Sequence, residues 1–279
     1  FDKLPPGTVE GLLKKNKTQM VVGYGRVKKP GLVEVTHADK TTTEISTKNI
    51  ILATGSEAKW FPGMEPDGKG LMTNREILAL RKVPASLVVI GAGAVGIEFA
   101  SIFNSFGSKV TVVEMMPNIL PIEDEECSIE LKRILVKRGM KIHTGTKTEF
   151  IKSATGGYDV KLSGSANETV NAEYVLVAVG RRPMTDGIGL EGTKVKVDRG
   201  YIKVDKFMQT DEPAIYAIGD IVPTPQLAHV ASAEGILAVE KIAGKNPSPI
   251  NYDRIPGVTY CDPQVASIGL TEKKAQERG

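Results

Sequence analysis

The chain has 279 residues, of which 41% are hydrophobic, so it is long enough to form two domains with a core in each. Its 36 basic and 33 acidic residues leave a net charge of only +3, and they are scattered rather than clustered. This pattern argues against a nucleic-acid partner, and the lack of an apolar run of about 18 residues argues against a membrane span.

The N-terminal sequence "FDKLPPGTVEG" has neither the basic nor the apolar region of a signal peptide. Cys127 and Cys261 are far apart and form no local pair, and such isolated thiols are typical of the reducing cytoplasm. The three histidines, His37, His143 and His229, show no ligand spacing. We therefore expect a cytoplasmic protein without a metal site.

The first part of the chain has the pattern of a small β-structure. Residues 19–36, "QMVVGYGRVKKPGLVEVT", alternate apolar and polar positions around a Pro-Gly turn and predict a β-hairpin. A short strand at residues 49–53 ends in "TGS". The Gly- and Pro-rich stretch "WFPGMEPDGKG" then predicts a linker, with a domain boundary near residue 65.

Strands and helices alternate after this boundary. We predict a strand at residues 87–90, a helix at 95–106, a strand in "KVTVVE" and an amphipathic helix at 124–139. The strand "MKIHTGT", a hairpin around "TGGYDVKL" and the strand "YVLVAVG" follow. Alternation of this kind predicts a parallel sheet with helices on its faces.

The sequence "GRRP" at residues 180–183 marks the exit from this domain. After it, "GYIKVDKFMQT" has a strand-like pattern, "AIYAIGD" is typical of a short buried strand, and "LAHVASAEGILAVEKIAG" predicts a helix closed by Gly244. The last stretch, "RIPGVTYCDPQVASIGLTEKKAQERG", begins a further element with strands and the first turn of a helix.

The stretch "VVIGAGAVGIE" carries the pattern GxGxxG between a predicted strand and a predicted helix. Gly91 permits a tight turn, Gly93 lets the backbone approach a pyrophosphate, and Gly96 lets the helix pack on the strand. The helix N-terminus then offers free N–H groups and a partial positive charge to the phosphates. We therefore predict a dinucleotide site here.

Two acidic residues refine this site. Glu114 ends the next strand, where a carboxylate binds both ribose hydroxyls, and "EMMPN" provides no arginine for a 2′-phosphate, so NAD(H) is favoured over NADP(H). Glu98 lies two residues past the third glycine, in what we predict to be the first helical turn. It either complements the helix dipole or faces the reacting end of the nicotinamide.

Several motifs together resemble a known family. "IILATGS" and "AIYAIGD", with "LAHVASAEG" and "IPGVTYCDPQVASIGLTE", are similar to the flavin- and NAD-linked disulfide reductases of class I, and most closely to their dihydrolipoamide-oxidising branch. The resemblance covers essentially the whole chain in matching order. The residues "LAH" distinguish that branch from the glutathione and mercuric reductases.

The resemblance implies an α/β fold in which a Rossmann-type NAD domain is inserted into an FAD domain. Residues 1–65 would be the first part of the FAD domain, 66–185 the NAD domain, 186–253 the second part of the FAD domain, and 254–279 the start of a dimerisation domain. The family's first glycine fingerprint, which holds the FAD pyrophosphate, is absent. We therefore expect an incomplete FAD domain and a central piece of a longer polypeptide.

The resemblance also implies which residues bind the two cofactors. The NAD residues are Gly91, Gly93, Ala94, Val95, Gly96, Glu98 and Glu114, with Thr148 beside the adenine and Val179 and Gly180 over the nicotinamide half. The FAD residues are Gly25 at the adenine, Thr54, Gly55 and Ser56 near the diphosphate and ribityl region, Asp220 at the ribityl chain, and Ala228 and His229 along the isoalloxazine. His229 is expected to be a flavin neighbour and not a catalytic base.

The implied reaction is the oxidation of protein-bound dihydrolipoamide by NAD+, with electrons passing through a redox-active enzyme disulfide and FAD. The implied partners are lipoyl domains of 2-oxo acid dehydrogenase complexes or of the glycine cleavage system, and a second copy in a homodimer. The sequence lacks the Cys-x4-Cys pair, the lysine that would pair with Glu98 and the His-Glu dyad, so we expect no catalytic residue in this chain.

We therefore expect the isolated chain to be inactive and to bind FAD weakly or not at all, while NAD binding survives. Two alternatives stay open. The first is another flavin disulfide reductase, such as an NADH oxidase or a mercuric reductase-like protein. The second is a free-standing module that binds NAD(H) without chemistry.

Overall fold

The computed structural model describes residues 8–279. The prediction that the N-terminal sequence is not a signal peptide rests partly on "FDKLPPG" at residues 1–7, and this segment lies outside the described residues. The chain passes back and forth between two units. The first unit contains the described residues up to Gly55 together with Pro183–Ile250, and the second unit contains Ser56–Arg182 and Asn251–Gly279.

The described residues form helices and short strands in the following order. The helices are α1 (Thr8–Lys15), α2 (Asn74–Ile77), α3 (Ala94–Ser105), α4 (Glu125–Lys137), α5 (Ala228–Ile242) and α6 (Glu272–Arg278), and short 3-10 helices lie at Gly219–Ile221 and Tyr252–Arg254. The strands are β1 (Tyr24–Lys29), β2 (Leu32–Thr36), β3 (Thr42–Ser46), β4 (Ile50–Leu52), β5 (Ser56–Ala58), β6 (Leu71–Met72), β7 (Ser86–Ile90), β8 (Lys109–Val113), β9 (Lys141–His143), β10 (Thr146–Ala154), β11 (Gly157–Gly164), β12 (Thr169–Ala172), β13 (Tyr174–Val177), β14 (Arg181–Pro183), β15 (Val197–Asp198), β16 (Tyr201–Ile202), β17 (Ile215–Ala217), β18 (Gly257–Thr259) and β19 (Val265–Ser267).

A five-stranded parallel sheet in the order β6-β13-β7-β8-β9 is the centre of the second unit. Its inner strands are apolar at almost every position, as expected for a sheet that is buried on both faces. Alternate residues of β7 point to opposite faces, so Leu87 and Val89 pack with α3 and α4, whereas Val88 and Ile90 pack on the other side. The predicted parallel sheet is confirmed.

The second face of this sheet is covered by strands, where we predicted helices. The antiparallel sheet β10-β11-β12 presents Tyr158, Val160 and Leu162 to the central sheet because these alternate positions of β11 are buried. The predicted hairpin around "TGGYDVKL" is part of this covering sheet. The expectation of helices on both faces is therefore wrong for this face, because a three-stranded sheet with one apolar side buries the same surface.

The predicted helix boundaries agree closely with the structure. Asp124 caps α4 by accepting a hydrogen bond from the N–H of Glu126, and Gly139 follows the helix with φ +93°. Gly244 likewise follows α5 with φ +74°. Within the described part of the chain, no helix combines the length and the apolar character that crossing a membrane requires.

The stretch predicted as a linker is anchored within the second unit. One carboxylate oxygen of Asp67 accepts hydrogen bonds from the N–H groups of Lys69, Gly70 and Leu71, and the other accepts one from the Tyr158 hydroxyl at 2.5 Å. A partial loss of hydration opposes ionisation, but these hydrogen bonds outweigh it and lower the pKa of Asp67 to about 2. The chain enters the second unit at Ser56 rather than near residue 65.

The first unit combines several small sheets with α5. Strands β1-β2-β3 form an antiparallel meander that contains the predicted hairpin, and β4 pairs in parallel with β17. The core is apolar, with Val27, Ile50, Ile202 and Ile215 among its buried residues. In the described residues this parallel sheet has two strands, against five in the second unit.

The strand predicted in "GYIKVDKFMQT" is much shorter than expected. Only Tyr201–Ile202 is a strand, and it pairs with β15. Asp205 ends the extended conformation because its carboxylate accepts hydrogen bonds from the N–H groups of Phe207 and Gln209. A side chain that bonds to the backbone two residues later forms a turn, which the alternating pattern of the sequence concealed.

We expect Asp67→Ala to lower the free energy of unfolding by about 1–2 kcal/mol, because it leaves several backbone N–H groups without their acceptor. The folded pKa of about 2 lies below the unfolded value of about 3.9, so the charge contribution is complete above about pH 4 and is lost as the pH falls towards 2. Since Asp67 is exposed, solvent screening keeps the charge contribution small.

Denaturant unfolding measured from pH 6 to pH 2 tests this. Tyr158→Phe removes one of the hydrogen bonds and should give a smaller loss of stability than Asp67→Ala. A variant without Asp67 whose stability falls between pH 4 and pH 2 as steeply as that of the wild type would contradict the assignment.

Candidate functional site

The predicted glycine turn lies at the carboxyl end of β7, where α3 begins. Gly91 has φ +98°, and a Cβ atom there would be 2.3 Å from the carbonyl oxygen of Ala178 and 3.2 Å from the N atom of Val179. A Cβ atom at Gly96 would be 2.0 Å from the carbonyl oxygen of Gly91. These two glycines are therefore required by contacts within the protein.

Gly93 has a different environment. Its φ of −70° is ordinary, and apart from its two chain neighbours a Cβ atom there would have no protein atom within 4 Å. Gly93 is the N-cap of α3 and provides no side chain to cap it, and Ala94 and Val95 in the first turn are exposed. The helix N-terminus thus faces open space that fits a pyrophosphate, because free N–H groups converge there.

Glu114 follows β8 directly and is held beside this turn. Its Oε2 accepts a hydrogen bond from the N–H of Ala92 at 2.6 Å, and its Oε1 accepts one from the N–H of Met116 at 2.8 Å. Its backbone N–H donates to the carbonyl of His143, and its carbonyl accepts from the N–H of Thr146. The structure therefore brings the predicted ribose-binding carboxylate next to the predicted phosphate-binding turn.

The other residues predicted for the dinucleotide lie in the same unit. Val179 and Gly180 follow β13. Val179 adjoins the glycine turn, since a Cβ atom at Gly91 would be 3.2 Å from its backbone N atom. Thr148 in β10 is only 7% exposed, and its hydroxyl has no hydrogen-bond partner among the described residues. A buried hydroxyl without a partner is rare in folded proteins and fits a position that a bound group completes.

Glu98 lies in the second turn of α3, since the helix begins at Ala94 and its first turn contains no acidic residue. The interpretation of Glu98 as a first-turn complement to the helix dipole is therefore wrong, because the dipole effect is confined to the terminal turn. Glu98 is half-buried, and its Oε1 accepts a hydrogen bond from the N–H of Tyr260 at 2.8 Å. Sequence reasoning did not predict this contact.

In the first unit, Asp220 lies in the 3-10 helix that follows β17. Gly219 beside it has φ +72°, and its N–H donates to Oε2 of Glu234 at 2.6 Å. Glu234 belongs to α5 and is fully buried. Sequence reasoning missed this residue, although an acid within the apolar run "ASAEGIL" is a signal that could have identified it.

Thr54 and Gly55 follow β4 in the same unit. The hydroxyl of Thr54 donates to the carbonyl of Met184 at 2.6 Å, and the carbonyl of Gly55 accepts from the N–H of Met184. Ser56 belongs instead to the second unit, where its hydroxyl and its carbonyl both accept hydrogen bonds from Arg181. The three residues predicted to act together thus have separate local roles.

The remaining flavin-side residues are exposed. Gly25 lies in β1 opposite Val35, and Ala228 and His229 form the start of α5. In the loop before α5, the hydroxyl of Thr224 and the amide nitrogen of Gln226 are buried without hydrogen-bond partners in the described part of the chain. Polar atoms in this state fit the polar edge of a bound group such as a flavin.

The two cysteines are not bonded to each other. Cys127 is exposed on α4, and Cys261 is buried in the core of the second unit. Burial raises the pKa of the Cys261 thiol, so the thiol stays protonated and unreactive. Among residues 8–279, no group of three or more His, Cys, Asp or Glu side chains is arranged to hold a metal ion.

A glycine turn beside a carboxylate, at the carboxyl end of a parallel sheet, is typical of a dinucleotide-binding α/β unit. The chain belongs to the pyridine nucleotide-disulphide oxidoreductase family, whose model matches residues 1–235. This assignment confirms the predicted Rossmann-type α/β fold, and FAD and NAD are the cofactors of that family.

Individual relatives make the comparison more specific. The chain is 44% identical over 270 residues to a dihydrolipoyl dehydrogenase of Chlorobaculum tepidum, covering 96% of this chain and 58% of the relative. It is 41% identical over 289 residues to a dihydrolipoyl dehydrogenase of Bacillus subtilis, covering 100% and 61%. The crystal structure of LpdA from Mycobacterium tuberculosis superposes with a TM-score of 0.90 at 28% identity, covering 97% and 60%. The chain thus spans about 60% of the length of these proteins.

The glycines give a matched pair of variants. We expect Gly96→Ala to destabilise the second unit by about 1–3 kcal/mol, because its Cβ atom overlaps the Gly91 carbonyl. Gly93→Ala should change stability by less than about 1 kcal/mol, yet weaken NADH binding at least tenfold, or about 1.4 kcal/mol, because its methyl group enters the phosphate space.

Thermal unfolding and NADH fluorescence titration of both variants separate the two effects. Undiminished NADH binding by a folded Gly93→Ala chain would show that the dinucleotide does not lie over this turn.

Proposed function

We propose that this chain provides the NAD-binding unit and part of the FAD site of a dihydrolipoyl dehydrogenase, which oxidises protein-bound dihydrolipoamide with NAD+ as the final acceptor. The observation that carries the proposal is the Glu114 carboxylate, held by the N–H groups of Ala92 and Met116 at the edge of an open glycine turn. The names of the relatives support the activity.

The second unit would bind the pyrophosphate, the adenosine half and the nicotinamide half of the dinucleotide. The N–H groups at the start of α3 would bind the phosphates, as at other helix N-termini. Each oxygen of Glu114 accepts one backbone N–H, and its remaining lone pairs are free for the two ribose hydroxyls. Thr148 would lie beside the adenine, and Val179 and Gly180 would cover the nicotinamide half. When bound, the cofactors supply the hydride chemistry.

The first unit would hold part of the flavin. Asp220 would bind the ribityl chain, and Glu234 would support it by fixing the N–H of Gly219. The polar atoms of Thr224 and Gln226 that lack partners support a bound polar group next to the start of α5. Ala228 and His229 would lie along the isoalloxazine, Gly25 would lie at the adenine, and Thr54 and Gly55 would lie near the diphosphate and ribityl region.

The proposal extends to partners and location. The substrates would be lipoyl domains of 2-oxo acid dehydrogenase complexes or of the glycine cleavage system, and the active protein would be a homodimer. The names of the relatives support the lipoyl substrate. The two unpaired thiols support a reducing compartment, and we propose the cytoplasm.

Glu114 should determine the choice of dinucleotide. We expect the chain to bind NADH much more tightly than NADPH, because the carboxylate repels a 2′-phosphate. Glu114→Ala should weaken NADH binding about tenfold, as expected when charge-assisted hydrogen bonds to the ribose are lost. The same change should leave NADPH binding unchanged or tighter, as measured by titration calorimetry.

Glu114→Gln is the matched control, since it keeps the side-chain size and one acceptor for the backbone N–H groups. Its preference for NADH should fall between those of the wild type and Glu114→Ala. If Glu114→Ala keeps the wild-type ratio of NADH to NADPH affinity, Glu114 does not contact the ribose. Failure of the wild-type chain to bind NADH would overturn the proposed function itself.

We expect no reduction of NAD+ by dihydrolipoamide with this chain alone. Oxidation of a dithiol needs a reactive cysteine pair, whereas Cys261 is buried with a raised pKa and Cys127 is not bonded to it. The purified chain should also lack a strong flavin absorption band. An assay of NADH formation at 340 nm, with the visible spectrum of the preparation, checks both expectations, and measurable turnover would contradict the first.

A further inference from the structure

A loop of the C-terminal segment lies on one face of α3. This loop, residues 260–264, joins β18 to β19 and is called the docking loop below. The N–H of Tyr260 donates to Oε1 of Glu98 at 2.8 Å, and the N–H of Asp262 donates to the hydroxyl of Ser101 at 3.1 Å. Glu98 and Ser101 are three residues apart, so they face the same side of α3.

Two further contacts fix the docking loop from other directions. Arg138, which follows α4, donates to the carbonyl of Asp262 at 2.8 Å and forms an ion pair with the Asp262 carboxylate. The Cys261 side chain is 6% exposed and packs in the core of the second unit. The Tyr260 N–H is thus held in place by the residues that follow it, and does not depend on Glu98 for its position.

The hydrogen bond from Tyr260 restricts Glu98. An ionised carboxylate on a half-buried helix face has several rotamers, and a charge-assisted hydrogen bond to one oxygen selects among them. Glu98 lies four residues after Ala94, about 6 Å along the helix axis from the glycine turn. Its Oε2 has no hydrogen-bond partner among the described residues, so this oxygen can accept a hydrogen bond from a ligand.

We propose that the docking loop is a positioning element of the dinucleotide site: the Tyr260 N–H holds one oxygen of Glu98 and directs the other to the carboxamide N–H of the nicotinamide. The inference rests on the proposed NAD site. Its consequence is specific to one half of the ligand, because the adenosine half depends on Glu114, which the docking loop does not contact. The loop therefore controls the affinity for NADH but not the affinity for ADP-ribose, which lacks the nicotinamide.

The direct test uses Tyr260→Pro, which removes the donor N–H, in the full chain. We expect NADH to bind about tenfold more weakly, or about 1.4 kcal/mol, and ADP-ribose to bind within about twofold of the wild type, within the error of such titrations. Both ligands are titrated by calorimetry.

Because proline can disturb the loop, a second variant is needed. The double substitution Ser101→Ala with Arg138→Met keeps the Tyr260 N–H and removes both side chains that form hydrogen bonds with the backbone of Asp262.

The second variant should also lose affinity for NADH and not for ADP-ribose, but by a smaller factor than Tyr260→Pro. Its matched control is Arg278→Met, which breaks an ion pair with Asp253 in the same C-terminal segment but touches neither the loop nor α3. The control should bind both ligands as the wild type does.

The outcomes separate the inference from the proposed function. A wild-type chain that binds neither ligand overturns the proposed function, and this inference with it. Wild-type binding of both ligands, with NADH affinity unchanged in the loop variants, overturns the inference alone. An equal loss for NADH and ADP-ribose also overturns it, because the loop would then act only on the stability of the unit. A selective loss for NADH supports it.

Discussion

The second unit depends on one close backbone approach, that of α3 to the carboxyl end of β7. A single methyl group at Gly96 would be 2.0 Å from the Gly91 carbonyl, and one at Gly91 would be 2.3 Å from the Ala178 carbonyl. Because the helix starts this close to the sheet, its N-terminal N–H groups lie at the sheet edge. The parallel strand order then brings the ends of β8 and β13 to the same edge, so Glu114 and Val179 are positioned by topology.

The two units differ in how completely their sheets are buried. The five parallel strands of the second unit have apolar cover on both faces, as parallel sheets require. In the first unit, the described residues pair β4 with β17 alone, and α5 exposes Ile236 and Val239 beside Ile51 in an apolar groove. This contrast is the physical basis for expecting firm binding of NAD and weak binding of FAD by the same chain.

Local sequence predicted the features that local chemistry determines. The glycine turn, the strand before it, the helix ends at Asp124 and Gly139 and the position of Glu114 all follow from neighbouring residues. The covering sheet β10-β11-β12 and the anchoring of Asp67 by Tyr158 depend on residues far apart in the chain. Periodicity reports that a face is apolar but not which element covers it, so these features could not be read from the pattern.

The acidic residues show why a ligand role and a structural role are compatible. Sequence reasoning assigned Glu114 and Glu98 to dinucleotide binding. The structure shows that each carboxylate also accepts a hydrogen bond from a backbone N–H of another segment. The buried Glu234 accepts one from Gly219 in the same way. A carboxylate has about four acceptor positions, so one hydrogen bond to the backbone leaves others for a ligand. That bond removes rotamer freedom before the ligand arrives, and a group fixed in advance loses less entropy on binding. The same hydrogen bond that orders a loop therefore prepares the site.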